Sequence, residues 1–261
     1  MTMPRNKTGA NPPTTTNKPR ILLLDTELSP SLGMAWGKYN QTVNHFERDW
    51  HFLSVAWQWY GEEKKVSCCC LPDFPLYKTD KHNDRELVAK VLFPLFDAAD
   101  VVVAHNIRFD VRKATARIIF HELHPPSPYK TICTLKLARK VAAFTSNKLD
   151  DLGEHLKLGR KVKHEGMDLW KGVLAGDVKC WRKMRAYNIG DVVLLRQVYE
   201  RLRGFEPNPI NLNIWSQQHA CPRCQSTKVE PHGWCYLRSG RKLQMRCNDC
   251  GGCFAIGKVC A

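Results

Sequence analysis

Four aliphatic residues in succession, Ile21-Leu22-Leu23-Leu24, run into the polar triplet Asp25-Thr26-Glu27. An unbroken apolar run of this length is the pattern of a strand buried on both faces, central in a sheet covered by helices. A second strand is expected over 50–60, with a hairpin partner over 65–71 beyond a turn at Gly61. A fourth lies over 100–106, where Val101-Val102-Val103-Ala104 breaks into His105-Asn106, and 131–133 reads as a fifth, short strand. Elsewhere the apolar positions take a helical period. Leu87, Val88, Val91, Leu92, Leu95 and Phe96 mark a helix over 84–98, capped by Asn83 or Asp84, which Pro94 ends or kinks. Further helices are expected at about 109–124, 135–143, 148–158 and 177–203, the last being the longest. Strands alternating with helices after an initial meander predict an α/β domain over 20–203, a mixed sheet flanked by helices. Residues 29–44 read as an excursion carrying Trp36 and Tyr39. Cys68, Cys69 and Cys70 alternate in direction along a strand and are assigned to packing.

Outside 20–203 the pattern lapses. Residues 1–19 hold prolines, threonines and almost nothing to bury, and read as a disordered basic leader. Residues 204–218 have prolines and no period, and read as a linker or a strap on the first domain. From 219 to 261 cysteine dominates: Cys221-Pro-Arg-Cys224 and Cys247-Asn-Asp-Cys250 are two knuckles at zinc-ribbon spacing. Four thiolates around one Zn²⁺ leave no open coordination position, so metal there folds a small module and does not catalyse. The overlapping pair Cys250-Gly-Gly-Cys253 leaves Cys250 and Cys253 both open as the last ligand, with His219 and His232 as weaker candidates. Between the knuckles 233–246 reads as a hairpin turning at Ser239-Gly240. Its Trp234, Tyr236, Arg238 and Arg241 combine stacking faces with cations, as single-strand binders do, although packing and solubility explain the same residues.

The net charge of +15 on 261 residues makes a polyanion the favoured partner, nucleic acid ahead of membrane. No apolar run approaches the roughly 20 residues that span a bilayer, and the leader lacks the apolar core of a signal peptide. Seven of the 12 cysteines fall beyond residue 220 in metal-like spacing, which points to a reducing compartment. An intracellular, cytoplasmic protein is expected.

Candidate chemistry gathers at three places. Asp25 and Glu27 alternate to one side of their strand with Thr26 opposite, forming an acidic shelf suited to a hard cation such as Mg²⁺ or Mn²⁺. Asp110, in Asn106-Ile107-Arg108-Phe109-Asp110, falls in the first turn of a helix, where the macrodipole stabilises a carboxylate. Tyr187 and Asp191 stand four apart on one helix face. Each is unremarkable alone: solvated acids, an N-cap with a helix-dipole acid, a polar helix face.

In combination and order, Asp-x-Glu, Asn-x-x-Phe-Asp and Tyr-x-x-x-Asp resemble the three motifs of the DEDD, or DnaQ-like, 3′ to 5′ exonucleases of ribonuclease H-like fold. The stretches Trp36-Gly37-Lys38-Tyr39, Trp57/Trp59, Ser146 to Leu152 and Asp168-Leu169-Trp170 extend the likeness over 20–203, and Tyr187 points to the DEDDy branch. The resemblance implies that Asp25, Glu27, Asp110 and Asp191 hold two Mg²⁺ or Mn²⁺ ions, roughly 3.5 to 4 Å apart, which activate water and stabilise the leaving 3′ oxygen. Tyr187, with a reference pKa of about 10, would orient the water as a protonated phenol. Thr26, Leu28 and Asn106 would contact the terminal nucleotide and Lys148 a phosphate, while His105 is assigned to packing. The implied substrates are 3′ ends of single-stranded DNA or RNA, and the implied protein partner a polymerase or another replication or repair protein. A catalytically silent nucleic-acid-binding adaptor on the same fold is the alternative.

Overall fold

The computed structural model describes residues 18–37, 39, 42–61, 65–215 and 220–260. The leader 1–17 and His219 lie outside the described residues. Strand β1 (Ile21–Leu28) is followed by β2 (Leu32–Met34), β3 (His45–Arg48), β4 (Phe52–Trp59) and β5 (Ser67–Cys70). A helical stretch comes next: α1 (Arg85–Leu87), a wide π turn (Val88–Leu92) and α2 (Phe93–Ala98). Then follow β6 (Val101–Ala104), α3 (Ile107–Phe120), β7 (Lys130–Cys133), α4 (Thr134–Val141), α5 (Leu149–His155), α6 (Met167–Ala175) and α7 (Val178–Leu202). Strands β8 (Val229–Leu237), β9 (Gly240–Cys247) and β10 (Cys253–Cys260) complete the chain.

The main sheet has the order β5-β4-β1-β6-β7. β1 pairs antiparallel with β4 (Asp25 opposite Ala56, Glu27 opposite Ser54) and parallel with β6 (Leu23 opposite Val103), so the unbroken aliphatic run is central as its pattern requires. The two faces of β1 enter different cores. Leu22 and Leu24 pack with Leu87, Phe96, Ala114 and Ile118, on the side covered by α2 and α3. Ile21 and Leu23 pack with Leu137, Leu152, Leu195 and Val198, under α4, α5 and α7. Helices therefore flank a five-stranded mixed sheet, an arrangement compatible with a ribonuclease H-like fold.

Some boundaries differ from expectation. Pro94 neither ends nor visibly breaks its helix: it sits in the first turn of α2, just after the π turn, where the wider backbone accommodates a residue without an N–H. α3 starts at Ile107 because Asn106 takes a left-handed conformation (φ 65°) that asparagine tolerates and most residues do not. The 29–44 excursion contains β2, which pairs with β3 in a small exposed hairpin. α6 and β10 have no counterpart among the expected elements.

The strap after α7 is short and docked. Leu212 is buried and its N–H donates to the Pro222 carbonyl at 2.8 Å, while Arg223 donates to the carbonyls of Glu206 and Cys253. Gly204 passes so close to the second knuckle that a Cβ there would meet the Cys250 carbonyl oxygen at 2.0 Å. The cysteine-rich segment is thus seated against the carboxyl end of α7.

Candidate active site

Strand alternation and helix periodicity meet at the carboxyl end of β1. Asp25 and Glu27 project toward α7, where Asp191, one turn after Tyr187, is almost completely buried. Oxygens of Asp25, Glu27 and Asp191 all lie within 4.8 Å of one another. Asp110 is outside this triad. It comes from α3, on the other face of β1, and its Oδ1 accepts a hydrogen bond from Thr26 Oγ1 at 2.7 Å. Thr26 is itself buried, its hydroxyl given to Asp110 rather than turned to solvent.

Four further side chains hold the triad in place. Asn188, fully buried beside Tyr187 on α7, donates Nδ2 to Asp25 Oδ2 at 2.6 Å and accepts from Ser54 Oγ at 2.9 Å, which fixes one carboxylate against β4. Lys161 reaches in from the segment between α5 and α6, its backbone N–H anchored on Asp150 at 2.7 Å. Its Nζ lies 2.5 Å from Asp191 Oδ2 and donates to the Tyr187 hydroxyl at 3.1 Å. Trp170 donates its indole N–H to the Leu28 carbonyl at 2.9 Å, tying α6 to the end of β1. The ring of His164 packs edge-on against both Trp170 and Tyr187.

Burial and mutual repulsion disfavour ionisation of the carboxylates. Burial raises Asp25 well above the usual carboxylate range, and the charges of Asp191, Glu27 and Asp110 add to it. Glu27 is pushed up to about 8 by burial and by Asp191, with Lys161 opposing. Asp110 rises to about 6 through burial, moderated by its hydrogen bonds from Thr26. Burial raises Asp191 too, against the nearby Lys161 ammonium. Burial works against the charge on Lys161, but Asp191 overcomes it and holds the ammonium above the ordinary lysine value. Tyr187 is pushed up to about 12 by burial and by Asp191, so it is a protonated phenol near neutrality.

The donor set suits a hard divalent cation. Among the described residues three carboxylates face the Lys161 ammonium, and Asp191 Oδ1 is buried with no hydrogen-bond partner. An orphaned buried carboxylate oxygen is costly unless something cationic or protic meets it. The triad could therefore hold a metal ion, and an all-oxygen donor set is the kind that hard divalent cations take.

A second metal-competent group sits at the strap. The thiols of Cys221, Cys224, Cys247 and Cys250 lie within 4.8 Å of one another, with Cys221 to Cys250 at 3.7 Å and Cys224 to Cys247 at 3.6 Å. This group contains Cys250 and leaves out Cys253, which begins β10. Cys221 and Cys224 come from the turn before β8, Cys247 ends β9 and Cys250 lies in the turn before β10, at one end of a three-stranded antiparallel sheet of order β10-β9-β8, and the all-sulfur donor set could bind zinc. The hairpin turns over Arg238-Ser239, with Leu237 opposite Gly240, one residue before the expected position. Tyr236 is exposed, and the Arg241 guanidinium covers the Trp234 ring at 4.4 Å.

Of the other expected contact residues, Asn106 is exposed at the start of α3 and caps nothing with its side chain. Lys148 is exposed at the N-cap of α5. His105 packs: its Nδ1 meets Thr134 Oγ1 at 2.9 Å, and burial lowers it to about 4. Lys161 and Asn188 carry no role in the sequence reading. A polar residue beside Tyr187 on the inward face of a long helix was a usable signal for Asn188. Nothing local distinguishes Lys161 from the other lysines of a basic chain.

No protein-family model matches the chain, and no curated protein matches it. Among the described residues no helix is long and apolar enough to cross a membrane.

Proposed function

We propose that the chain is a metal-dependent 3′ to 5′ exonuclease of the DEDDy type, with a ribonuclease H-like domain and a carboxyl-terminal zinc ribbon. It would release nucleoside 5′-monophosphates from single-stranded ends, DNA somewhat before RNA. The single observation that carries the reading is the convergence of Asp25, Glu27 and Asp191 within 4.8 Å, from two elements 160-odd positions apart in sequence, beside a protonated Tyr187. Phosphodiester hydrolysis needs positive charge at the phosphate and a positioned water, and this donor set serves both.

Asp25, Glu27 and Asp191 would hold Mg²⁺ or Mn²⁺, which supplies Lewis-acid charge and lowers the pKa of water. The chain's own residues do the rest. Asn188 keeps Asp25 turned into the site through its 2.6 Å bond. Tyr187, protonated and already hydrogen-bonded through its oxygen, orients a water with its O–H without removing the proton. Asp110, held on the opposite face of β1 by its hydrogen bond from Thr26, would be the further acid available to a second ion. Leu28, whose carbonyl is taken by Trp170, offers its half-buried side chain at the strand end to a terminal nucleotide. The four thiols would hold one structural Zn²⁺ and fasten β8 to β10 onto α7.

Chromatographic analysis of products from unlabelled oligodeoxynucleotide and oligoribonucleotide tests this. Exclusive appearance of nucleoside 5′-monophosphates, dependent on Mg²⁺ or Mn²⁺, is expected. Oligonucleotide products with no mononucleotide would mean an endonuclease, and intact substrate retained on the protein would mean the adaptor.

A further inference from the structure

The two edges of the main sheet are finished differently. At β5 the Arg185 guanidinium occupies the Cys68 carbonyl and is itself paired with Asp73, which obstructs the approach of another strand. At β7 no such cover is present among the described residues. Strands β6 and β7 are parallel, with Val102 opposite Thr131, and the Lys130 N–H donates to the Asp100 carbonyl. Alternation therefore turns the N–H and C=O of Thr131, and the N–H of Cys133, away from β6. Among the described residues no hydrogen bond takes them. We propose that this edge is a docking site for a partner protein, receiving as a sixth strand an extended segment in which carboxylates alternate with aliphatic residues. The docking does not depend on the nuclease reading.

The edge faces a cleft of about 370 Å³ whose far wall is the strap at Asn208, Pro209 and Ile210. Thr131, Ile132 and Cys133 all line it, and consecutive strand residues share one cavity only along the strand's edge, since their side chains point to opposite faces. Ile132, Leu137 and Ile210 give an added strand apolar contact. The charge of the cleft comes from Lys136, Lys140, Arg203 and Arg223, set against one carboxylate, Glu206, which already holds Lys140 at 2.5 Å. Lys136 is exposed and has no ion-pair partner among the described residues, and the Arg223 N–H groups go to the neutral carbonyls of Glu206 and Cys253. Even with Arg203 reserved for the neighbouring thiols of Cys224 and Cys250, cations outnumber acids. In strand addition the main chain supplies affinity and the side-chain pockets supply selectivity. Charge then decides the occupant. The leader 1–17 has Arg5 and Lys7 and no acid, and a second copy of a chain of net charge +15 is repelled, so neither suits the cleft. A nucleic-acid strand would meet the cations, but its phosphates only accept hydrogen bonds, and the Thr131 carbonyl needs a donor. An acidic peptide strand satisfies the cations, the N–H groups and the carbonyl together.

The test uses the full chain and a fluorescein-labelled heptapeptide in which aspartate and valine alternate, read by fluorescence anisotropy. A block peptide of the same composition controls for charge, and a peptide N-methylated at its central residues controls for strand pairing. The alternating peptide should bind roughly tenfold more tightly than either, the equivalent of one or two lost hydrogen bonds, and should protect the amides of 130–133 from hydrogen exchange. Thr131→Pro removes an outward N–H while leaving the ladder to β6, as proline on a sheet edge allows, and should weaken binding by about the same factor. Lys136→Glu, at an exposed position, should weaken it too, and circular dichroism checks that both variants fold. Equal binding of the block or the N-methylated peptide, unchanged binding in both variants, or no binding of the alternating peptide would each overturn the proposal. So would protection of 130–133 by an oligothymidylate and not by the peptide, which would make the cleft a nucleic-acid surface.

Discussion

Lys161 Nζ lies 2.5 Å from Asp191 Oδ2 and 3.1 Å from the Tyr187 hydroxyl, so one ammonium from outside the three sequence motifs holds two residues of the third. In the metal-free protein it is the cation that offsets the crowded carboxylates. Lys161→Met should therefore destabilise the metal-free protein by about 1–3 kcal/mol, below the usual cost of breaking a buried pair because Lys161 is partly exposed. Mg²⁺ should recover most of that loss. Thermal unfolding with and without added Mg²⁺ measures both.

Tyr187 acts through its hydroxyl, while its ring packs against His164 and Trp170. Tyr187→Phe keeps the ring and should cost about 100-fold in single-turnover hydrolysis, at the lower end of what a positioned proton-bearing group contributes. The unfolding temperature should change by little. An equal loss in Tyr187→Phe and a variant that unfolds would instead mark the hydroxyl as structural.

The pH dependence of stability has a definite sign. Burial and Asp191 raise Glu27 from its ordinary 4.5 to about 8 in the folded protein, so over that interval the folded chain binds more protons than the unfolded one. Its contribution to the stability of the metal-free protein should accordingly fall as pH rises from about 4.5 to about 8, and the net stability should fall with it above about 6.5, where the buried His51 and His105, lowered to about 4, no longer oppose it. Bound Mg²⁺ favours the ionised carboxylates and should flatten or reverse the slope. Denaturant titrations at several pH values on dialysed protein, with and without Mg²⁺, check this; dialysis avoids a chelator that would also attack the cysteine cluster.

Elemental analysis of protein purified without chelator should find about one Zn²⁺ per chain, as four thiols closing on one ion require. Cys250→Ser should lose the zinc and much of the folding cooperativity of the segment. Cys253→Ser should keep it, because Cys253 lies outside the four-thiol group.

The central strand was legible because Ile21 to Leu24 have no polar face to expose, and the acidic shelf because strand alternation forces Asp25 and Glu27 to one side. The long helix was legible from its apolar pattern, and the structure starts it at Asp177, whose carboxylate accepts the N–H groups of Lys179 and Cys180. What sequence does not carry is which face each long-range partner reaches. Asp110 and Asp191 look equivalent as isolated acids, yet they approach β1 from opposite sides, and only Asp191 joins the triad. Lys161 is legible from position alone only after folding, since its role depends on a segment with no regular period.

The most direct test of the account is gel-resolved digestion of 5′-labelled single-stranded DNA and RNA, with Mg²⁺, Mn²⁺ or no divalent ion, by the unmutated chain and by Asp25→Ala. Asp25→Ala removes one acid from the crowded triad but leaves the buried Asn188 amide without its 2.6 Å partner, so thermal unfolding is recorded alongside to confirm that the variant folds. The prediction is a ladder shortening by single nucleotides from the 3′ end, absent without divalent ion and absent in the variant. Full activity in Asp25→Ala, or undegraded substrate under every condition, would contradict it.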